Sequence, residues 1–146
     1  MAGSQWPLAE RFLTAQEAVY PQVLAELQAG MKLTHWMWFV FPQIAGLGQS
    51  EIARHYAIAN LEAARLYVTH PVLGARLREC TSAVLLHAPG GATPKSLEQI
   101  FDTPDDLKFC SSMTLFSQAA PQENLFVAAL GAFNAGQLDQ ATLDRI

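Results

Sequence analysis

Apolar residues recur along most of the chain at the spacing of an amphipathic α-helix. The clearest repeat advances by four, three and four residues, through Leu73, Leu77, Cys80 and Val84. Side chains at these steps lie on one face of a helix, so this face is predicted to lie in the core. Comparable patterns predict helices over residues 8–19, 21–30, 51–58, 61–69, 97–101, 104–116 and 125–133.

Residues typical of helix ends stand at the borders of these patterns. Helix starts are predicted at side chains that can accept a hydrogen bond from a first turn, namely Ser50, Asn60 and Asp139. Thr103, Pro104 and Asp106 predict another start, with an N-cap, a proline at the first helical position and a capping-box acid. Pro71 is predicted to begin the helix that contains Leu73 and Leu77. Gly30 is predicted to end the helix over residues 21–30.

The segment 36–41 leaves its secondary structure open. Its aromatic and β-branched residues favour a strand, but a short stretch that is apolar on all sides also fits a buried helical turn. Pro42 ends the segment in either case. Together the patterns predict an all-α protein, a single helical domain over residues 1–146 with seven to nine short helices and at most one short strand.

The composition supports a folded domain and excludes other classes. The chain has 146 residues, of which 51% are apolar and 15% are charged. Disordered chains combine low hydrophobicity with high net charge, so disorder is excluded. The longest stretch of bulky apolar residues spans 36–41, far short of the ~20 residues that cross a bilayer. Residues 1–10 lack the pattern of a secretion signal, so a cytoplasmic location is predicted.

Charge and cysteine usage limit the partners. Nine Lys and Arg residues stand against thirteen Asp and Glu residues, a formal net charge of −4, and no basic cluster of the kind that binds duplex nucleic acid occurs. Cys80 and Cys110 lie in apolar helical patterns without CxxC spacing, which predicts buried thiols in a reducing compartment. The histidines show no metal-ligand spacing, and we predict neither a metal nor a cofactor.

The first candidate for chemistry is the aromatic segment. Trp36 and Trp38 could stack on a nucleobase or a flavin-like ring, an interaction that stabilises a complex by ~1–3 kcal/mol per base. His35 could transfer protons near neutral pH, and Gln43 is a polar residue that packing does not explain. The alternative interpretation is a core aromatic cluster beside a structural histidine.

A glycine-rich loop follows the aromatic segment. Gly46, Gly48 and Ser50 precede a predicted helix, where backbone N–H groups can approach an anion and the helix dipole favours negative charge. This loop matches neither a Walker motif nor a dinucleotide fingerprint. The alternative interpretation is therefore a tight turn that binds no ligand.

A third constellation lies on the helix predicted after Pro104. Steps of three and four residues place Asp105, Lys108, Ser111 and Ser112 near one helix face. A lysine beside two hydroxyl groups could hold a phosphate or a carboxylate. The alternative is a solvated face with an Asp105–Lys108 pair that contributes ~0.2–0.5 kcal/mol.

Several motifs together resemble a known family. They are HWMWFVFPQ at 35–43, GLG at 46–48, YAI at 56–58, EA at 62–63, HPVLG at 70–74, DLK at 106–108 and SSMTLF at 111–116. They extend over nearly the whole chain and are similar to the family known as domain of unknown function 1810. The resemblance implies a compact, mostly helical domain and confers no activity. Phe109 stands where that family more often carries a smaller aliphatic residue, which implies different local packing.

The first function hypothesis is a site for a small anionic aromatic ligand, such as a nucleotide or ADP-ribose. The tryptophans would stack on the ring, and Lys108 would neutralise the phosphate. A fainter similarity, to helical N-glycosidase-like domains, implies a hydrolase. In such an enzyme Glu62 would stabilise an oxocarbenium-like transition state and activate water, and His35 or Glu62 would transfer protons.

The alternative is a non-catalytic interaction module or a homo-oligomer. The high fraction of apolar residues and the low fraction of charged residues predict more hydrophobic surface than a monomer can bury in its own core. The predicted surplus face lies on the last long helix and comprises Leu125, Phe126, Ala129, Leu130 and Phe133. The ligand hypothesis requires the tryptophan-rich segment and the helix of Lys108 to meet around a shared hollow.

Overall fold

The computed structural model describes residues 6–146 and contains ten α-helices in that part of the chain. In chain order they are α1 (Ala9–Glu17), α2 (Tyr20–Ala29), α3 (Met37–Val40), α4 (Glu51–His55), α5 (Leu61–Thr69), α6 (Leu73–Leu85), α7 (Leu97–Phe101), α8 (Asp105–Ala119), α9 (Leu125–Phe133) and α10 (Gln140–Leu143). The all-α prediction is confirmed, with one helix more than the upper predicted number. The predicted domain also includes residues 1–5, which lie outside the described residues.

Helix α8 is the centre of the fold. It packs against α5, α7, α9 and α10, and residues 111–117 are all buried. A helix buried on every side carries apolar or small side chains all round instead of one apolar stripe. The hydroxyls of Ser111, Thr114 and Ser117 donate to backbone carbonyls one turn earlier, which allows these small polar side chains to lie in the core.

Aromatic rings fill the space around α8. Phe41 meets Phe109 edge-on, with 5.1 Å between the ring centroids. Tyr67 of α5 lies between Phe12 of α1 and Phe116 of α8, at centroid distances of 5.1 and 5.4 Å. Ring pairs at such separations contribute roughly 0.5–1.5 kcal/mol beyond their buried area. The aromatic residues therefore join helices that are distant in the sequence.

Residues 36–41 adopt the helical alternative, since α3 forms a single turn there. Within the described residues the structure closest to a strand is an isolated parallel bridge between Ile44 and Ile58. The Ile58 N–H donates to the Gln43 carbonyl at 2.9 Å, so the chain has left the helical conformation before this residue. The helix predicted over 51–58 therefore ends earlier, at His55.

Three predicted helix starts are confirmed by hydrogen bonds. The side chains of Ser50, Asn60 and Asp139 each accept the backbone N–H of the third residue after them, at 3.1, 2.9 and 3.1 Å. Each of these bonds satisfies an N–H group that has no partner within its own helix.

The start predicted at Thr103 is wrong by one residue. Helix α8 begins at Asp105, and Pro104 takes the N-cap position. The Pro104 carbonyl accepts the N–H groups of Leu107 and Lys108, as an N-cap carbonyl does, so the proline precedes the first helical residue. The Thr103 hydroxyl donates to the Asp106 carboxylate at 3.3 Å and caps no backbone group.

Helix α6 also begins later than predicted, at Leu73 and not at Pro71. Val72 takes the N-cap position, and Nδ1 of the buried His70 accepts the N–H groups of Val72 and Leu73 at 3.1 and 3.2 Å. An Nδ1 that accepts hydrogen bonds carries no proton, so this contact assigns the proton of the neutral ring to Nε2. Burial lowers the pKa of His70, which favours the same neutral form.

The buried carboxylate of Glu26 has the largest number of hydrogen bonds in the described chain. Its Oε1 accepts the N–H groups of Leu33 and Thr34 and the Trp36 indole N–H, at 2.8, 3.2 and 2.9 Å. Its Oε2 accepts the Gln22 amide and the Thr34 hydroxyl, at 2.8 and 2.7 Å. Burial acts to raise the pKa of Glu26, but these bonds outweigh it and lower the pKa to about 2. The carboxylate thereby fixes the loop after α2.

The apolar face of α9 is part of the core. Phe126, Ala129 and Leu130 are buried, and the helix packs on α8 and α6. The prediction that this face is surplus and available to a partner is wrong, because its side chains pack in the core, where α9 covers one side of α8. The large apolar side chains that are exposed lie elsewhere and include Met31, Leu33, Leu86 and Leu107.

Replacement of Glu26 by glutamine should destabilise the fold. The amide removes the charge and presents an NH₂ group to donors that now meet a carboxylate. We expect the free energy of unfolding in urea to fall by roughly 2–4 kcal/mol. The pKa of Glu26 is about 2 in the folded protein and 4.5 ordinarily, so its stabilisation is present above pH 4.5 and is lost as the pH falls toward 2. The difference in free energy of unfolding between variant and wild type should therefore decrease as the pH is lowered from 4.5 toward 2.

Glu62→Gln is the matched control for this substitution. Glu62 is exposed and has no hydrogen bond or ion pair among residues 6–146. Its substitution should change the free energy of unfolding by less than roughly 0.5 kcal/mol. Equal effects of the two substitutions would contradict the role assigned to Glu26.

Candidate functional site

Two lysines from distant parts of the chain meet at one carboxylate. Lys32, in the loop after α2, places its Nζ 3.0 Å from Asp105 Oδ2, and Lys108 of α8 places its Nζ 3.5 Å from Asp105 Oδ1. The Lys32 backbone N–H also donates to the Ile100 carbonyl at 2.7 Å, which brings this loop against α7. The Lys32 side chain is 7% exposed and the Lys108 side chain is 26% exposed.

Each lysine also lies over a tryptophan ring. The Nζ of Lys32 is 5.1 Å from the Trp36 ring centroid, and that of Lys108 is 5.5 Å from the Trp38 ring centroid, both within cation–π range. Trp36 is buried, whereas Trp38 is half-buried. We refer to Lys32, Trp36, Trp38, Asp105 and Lys108 as the tryptophan–lysine cluster. The tryptophan-rich segment and the helix of Lys108 thus meet. No residue of α8 lines the small hollow beside Trp38, however, so among the described residues the two segments do not enclose the shared hollow that the ligand hypothesis requires.

The hollow beside this cluster is small. Trp38 and Gln43 line it together with Gly48 and Tyr56, and its volume is about 10 Å³. Such a volume suits about one water molecule. An aromatic ligand therefore does not fit inside it in this conformation and would have to lie on the outer side of Trp38.

Packing explains the glycine-rich loop. A Cβ atom at position 48 would lie 2.5 Å from the Ala53 Cβ, which leaves room for glycine alone. Gly46 has φ +101°, a conformation that other residues rarely adopt. The Ser50 hydroxyl is used as the cap of the five-residue helix α4. A role of Gly46, Gly48 and Ser50 in anion binding stays a prediction.

The structure separates the polar residues predicted on one face of α8. Asp105 and Lys108 pair as described, but the Ser111 hydroxyl contacts Asp139 Oδ2 at 3.1 Å. The Ser112 hydroxyl is buried and has no hydrogen-bond partner among the described residues. Neither serine shares a hydrogen bond with Lys108, so the geometry supports a binding role for the lysine more than for the two hydroxyls.

The two predicted acid–base residues lie outside the contacts of the cluster. His35 is exposed in the loop next to Trp36, and Glu62 is exposed in the first turn of α5. In the described part of the chain no hydrogen bond or ion pair joins either residue to the tryptophan–lysine cluster. A carboxylate in a first turn is also explained by the helix dipole.

Sequence reasoning missed two cations near the predicted site residues. Lys32 stands four residues before Trp36 and is one of three lysines in the chain, and that proximity could have pointed to it. Arg145 reaches the glycine loop from the end of the chain, because a Cβ atom on Gly46 would lie 3.0 Å from its Nε. No sequence signal connects these two positions.

Comparisons with known proteins place this fold in a family. The profile of the family described as "Protein of unknown function (DUF1810)" matches residues 8–146. The chain belongs to the DUF1810 family. It is similar to a solved structure, the conserved hypothetical protein Rv1873 from Mycobacterium tuberculosis, with 47% identity, 94% of each chain covered and a TM-score of 0.88. No curated protein matches the chain. Neither description states an activity.

The cysteines of this DUF1810 protein are free thiols, Cys80 buried and Cys110 half-buried. Burial raises the pKa of Cys80 to about 12 and that of Cys110 to about 11. Both thiols are therefore protonated at neutral pH and are poor nucleophiles. Residues 6–146 contain no group of three His, Cys, Asp or Glu side chains placed to hold a metal ion. None of the described helices has the length and apolar character to cross a bilayer.

Gly48→Ala tests whether close packing sets the glycine loop of this DUF1810 protein. The added methyl group would overlap Ala53, and we expect a loss of roughly 1–3 kcal/mol in thermal unfolding. Gly131→Ala is the control, because Gly131 lies within α9 and a Cβ atom there meets nothing within 4 Å. That substitution should stabilise the fold by roughly 0.5–1 kcal/mol. Wild-type stability of the Gly48 variant would contradict the packing explanation.

Proposed function

We propose that this DUF1810 protein binds a small ligand that carries an aromatic ring and an anionic group, such as a nucleotide or an ADP-ribose-like molecule. The observation that carries this proposal is the Lys108 ammonium group, 5.5 Å from the ring centroid of the half-buried Trp38. A ring stacked on Trp38 would bring its anionic substituent toward Lys108. Stacking and charge would thus recognise the two parts of one molecule.

The local charge favours an anion. Two ammonium groups and one carboxylate give the tryptophan–lysine cluster a charge of +1, in a protein whose formal net charge is −4. A single positive site attracts a small anion. Duplex nucleic acid is bound through many phosphate contacts, which this one site does not provide.

The size of the hollow sets the position of the ligand. Because the space beside Trp38 and Gln43 is only about 10 Å³, the ring would stack on the outer face of Trp38. The Gln43 amide, which is half-buried, is one polar group that lines the hollow next to that ring. Binding would therefore be open to solvent on one side, which is typical of moderate affinity.

N-glycosidic hydrolysis is the finer form of this proposal. It would require Glu62 or His35 to approach the bound ligand, and none of their described contacts reaches the tryptophan–lysine cluster. Binding is consequently the part that the geometry supports best, and catalysis stays a prediction. The two free thiols are compatible with the predicted cytoplasmic location.

Titration with AMP and ADP-ribose tests the proposal. Both ligands should raise the Tm and quench tryptophan emission. Trp6 and Trp36 are buried, so the quenching should come from Trp38 and should disappear in Trp38→Phe. Lys108→Gln should weaken binding by roughly tenfold or more, the effect of losing a charged hydrogen bond.

Lys95→Gln is the matched control, because Lys95 is also half-buried, donates to the Gly30 carbonyl at 3.1 Å and, among the described residues, has no hydrogen bond or ion pair with the tryptophan–lysine cluster. It removes the same charge and should leave ligand affinity unchanged. An absence of any change in Tm or emission across nucleotides at millimolar concentration would contradict the proposed function.

An interaction module is the second candidate function, and one observation favours it. Met31 and Leu33, on either side of Lys32 in the sequence, are 50% and 68% exposed, and Leu107, next to Lys108, is 62% exposed. Met31 and Leu33 line one apolar groove together with Ala25 and Ala29, a surface that a second copy of the chain could cover.

Light scattering after gel filtration distinguishes this second function. A dimer that dissociates in Leu33→Gln, but not in the control Leu86→Gln at another exposed leucine, would support it. A monomer at every protein concentration would contradict the homo-oligomer and would leave the ligand proposal unaffected.

A further inference from the structure

This inference rests on the proposed function and concerns the carboxylate between the two lysines. We propose that Asp105 is a built-in competitor for Lys108, so that the site selects ligands whose anionic group carries more charge than a carboxylate. Among aromatic ligands, those with a phosphate monoester, such as AMP, or a doubly charged pyrophosphate, such as ADP-ribose, meet this condition. Asp105 would then be a specificity-determining residue of the Trp38–Lys108 surface.

The two carboxylate oxygens of Asp105 make contacts of different lengths with the two lysines. Oδ2 lies 3.0 Å from the buried Lys32 ammonium, which also lies over Trp36. Oδ1 lies 3.5 Å from the Lys108 ammonium, longer than the ~2.7–2.9 Å of a charge-assisted hydrogen bond. The contact with Lys32 is therefore the tighter one, and it holds the carboxylate in place. Lys108 is held loosely and can turn toward a ligand.

Binding at Lys108 is consequently an exchange of acceptors. A ligand's anionic group takes the place of Asp105 Oδ1 beside the ammonium. A neutral acceptor makes a weaker contact than the carboxylate that it displaces. A ligand carboxylate or a phosphate diester, each with a single charge, roughly matches that carboxylate. A phosphate monoester carries about −1.5 to −2 at neutral pH and makes a stronger contact.

The displaced carboxylate stays near the bound ligand, because Lys32 retains it at Oδ2. Its negative charge then opposes the anion on Lys108 and limits the affinity. Removal of this charge should strengthen ligand binding in two ways. Lys108 would be free in the unliganded protein, and the bound phosphate would have no carboxylate beside it.

The experiment compares AMP, a monoester, with 3′,5′-cyclic AMP, a diester with the same base, by quenching of Trp38. Wild-type protein should bind AMP more tightly, by roughly fivefold or more, the effect of additional charge at a partly exposed ammonium group. Asp105→Asn should tighten binding of both nucleotides by a similar factor and should leave uncharged adenosine unchanged. The asparagine keeps an oxygen that can accept from Lys32.

Asp106→Asn is the matched control, because it removes the same charge from the next residue. Asp106 accepts from Thr103 and from its neighbour Leu107 and contacts neither lysine. A smaller effect of this variant would support direct competition by Asp105. Equal tightening in both variants, or none in Asp105→Asn, would overturn the competition.

The comparison of the two nucleotides on wild-type protein needs no variant, so it decides the ligand class even if Asp105→Asn folds poorly. Equal affinity for AMP and cyclic AMP would overturn the preference for monoesters. Either negative result, together with loss of AMP binding in Lys108→Gln, would leave the proposed function standing. Failure of wild type and Asp105→Asn to bind any nucleotide would overturn the proposed function itself.

Discussion

Five hydrogen bonds converge on the carboxylate of Glu26, and the tryptophan–lysine cluster depends on the loop that they hold. Two come from the backbone of Leu33 and Thr34, directly after Lys32, and a third comes from the Trp36 indole. With these groups fixed, Lys32 lies over Trp36 and reaches Asp105. The lowered pKa of Glu26 keeps the acceptor ionised at neutral pH. The hydrogen bonds of Glu26 therefore fix the loop after α2 and also position Lys32 and Trp36 of the tryptophan–lysine cluster.

The other half is placed by a second buried network. The Gln16 amide and the Tyr67 hydroxyl both donate to the Phe39 carbonyl, at 2.7 and 3.3 Å, and so fix the single turn α3 between α1 and α5. Trp38 precedes Phe39 in that turn, so its ring is presented from a rigid element toward Lys108. Groups held in this way need little reordering when a ligand binds, which favours affinity.

The parts of this structure that depend on near neighbours could be predicted from the sequence. Ser50, Asn60 and Asp139 cap helices through N–H groups three residues away, so their roles follow from local pattern. The secondary structure of residues 36–41 could not be predicted in this way, because it depends on hydrogen bonds from Gln16 and Tyr67, which are distant in the sequence. Likewise the helical period predicted Ser111 and Ser112 near Lys108, but it could not show that residues 111–117 of α8 are buried on every side. The pairing of Lys32 with Asp105 joins the loop after α2 to the first residue of α8 and leaves no periodic signal.

Asp105 meets two opposing requirements, a charged partner for Lys32 and the availability of Lys108 to a ligand. It meets both because its contacts with the two lysines differ in length. Without a carboxylate, the nearly buried Lys32 would have no charged partner, and two ammonium groups would face each other. The fold therefore needs the negative charge, whereas binding of an anion at Lys108 is opposed by it. A short contact from one oxygen to the buried lysine satisfies the first requirement. A longer contact from the other oxygen to the half-buried Lys108 leaves that cation available. The same side chain can thus stabilise the core side of the cluster and yield on the solvent side, where a ligand would arrive.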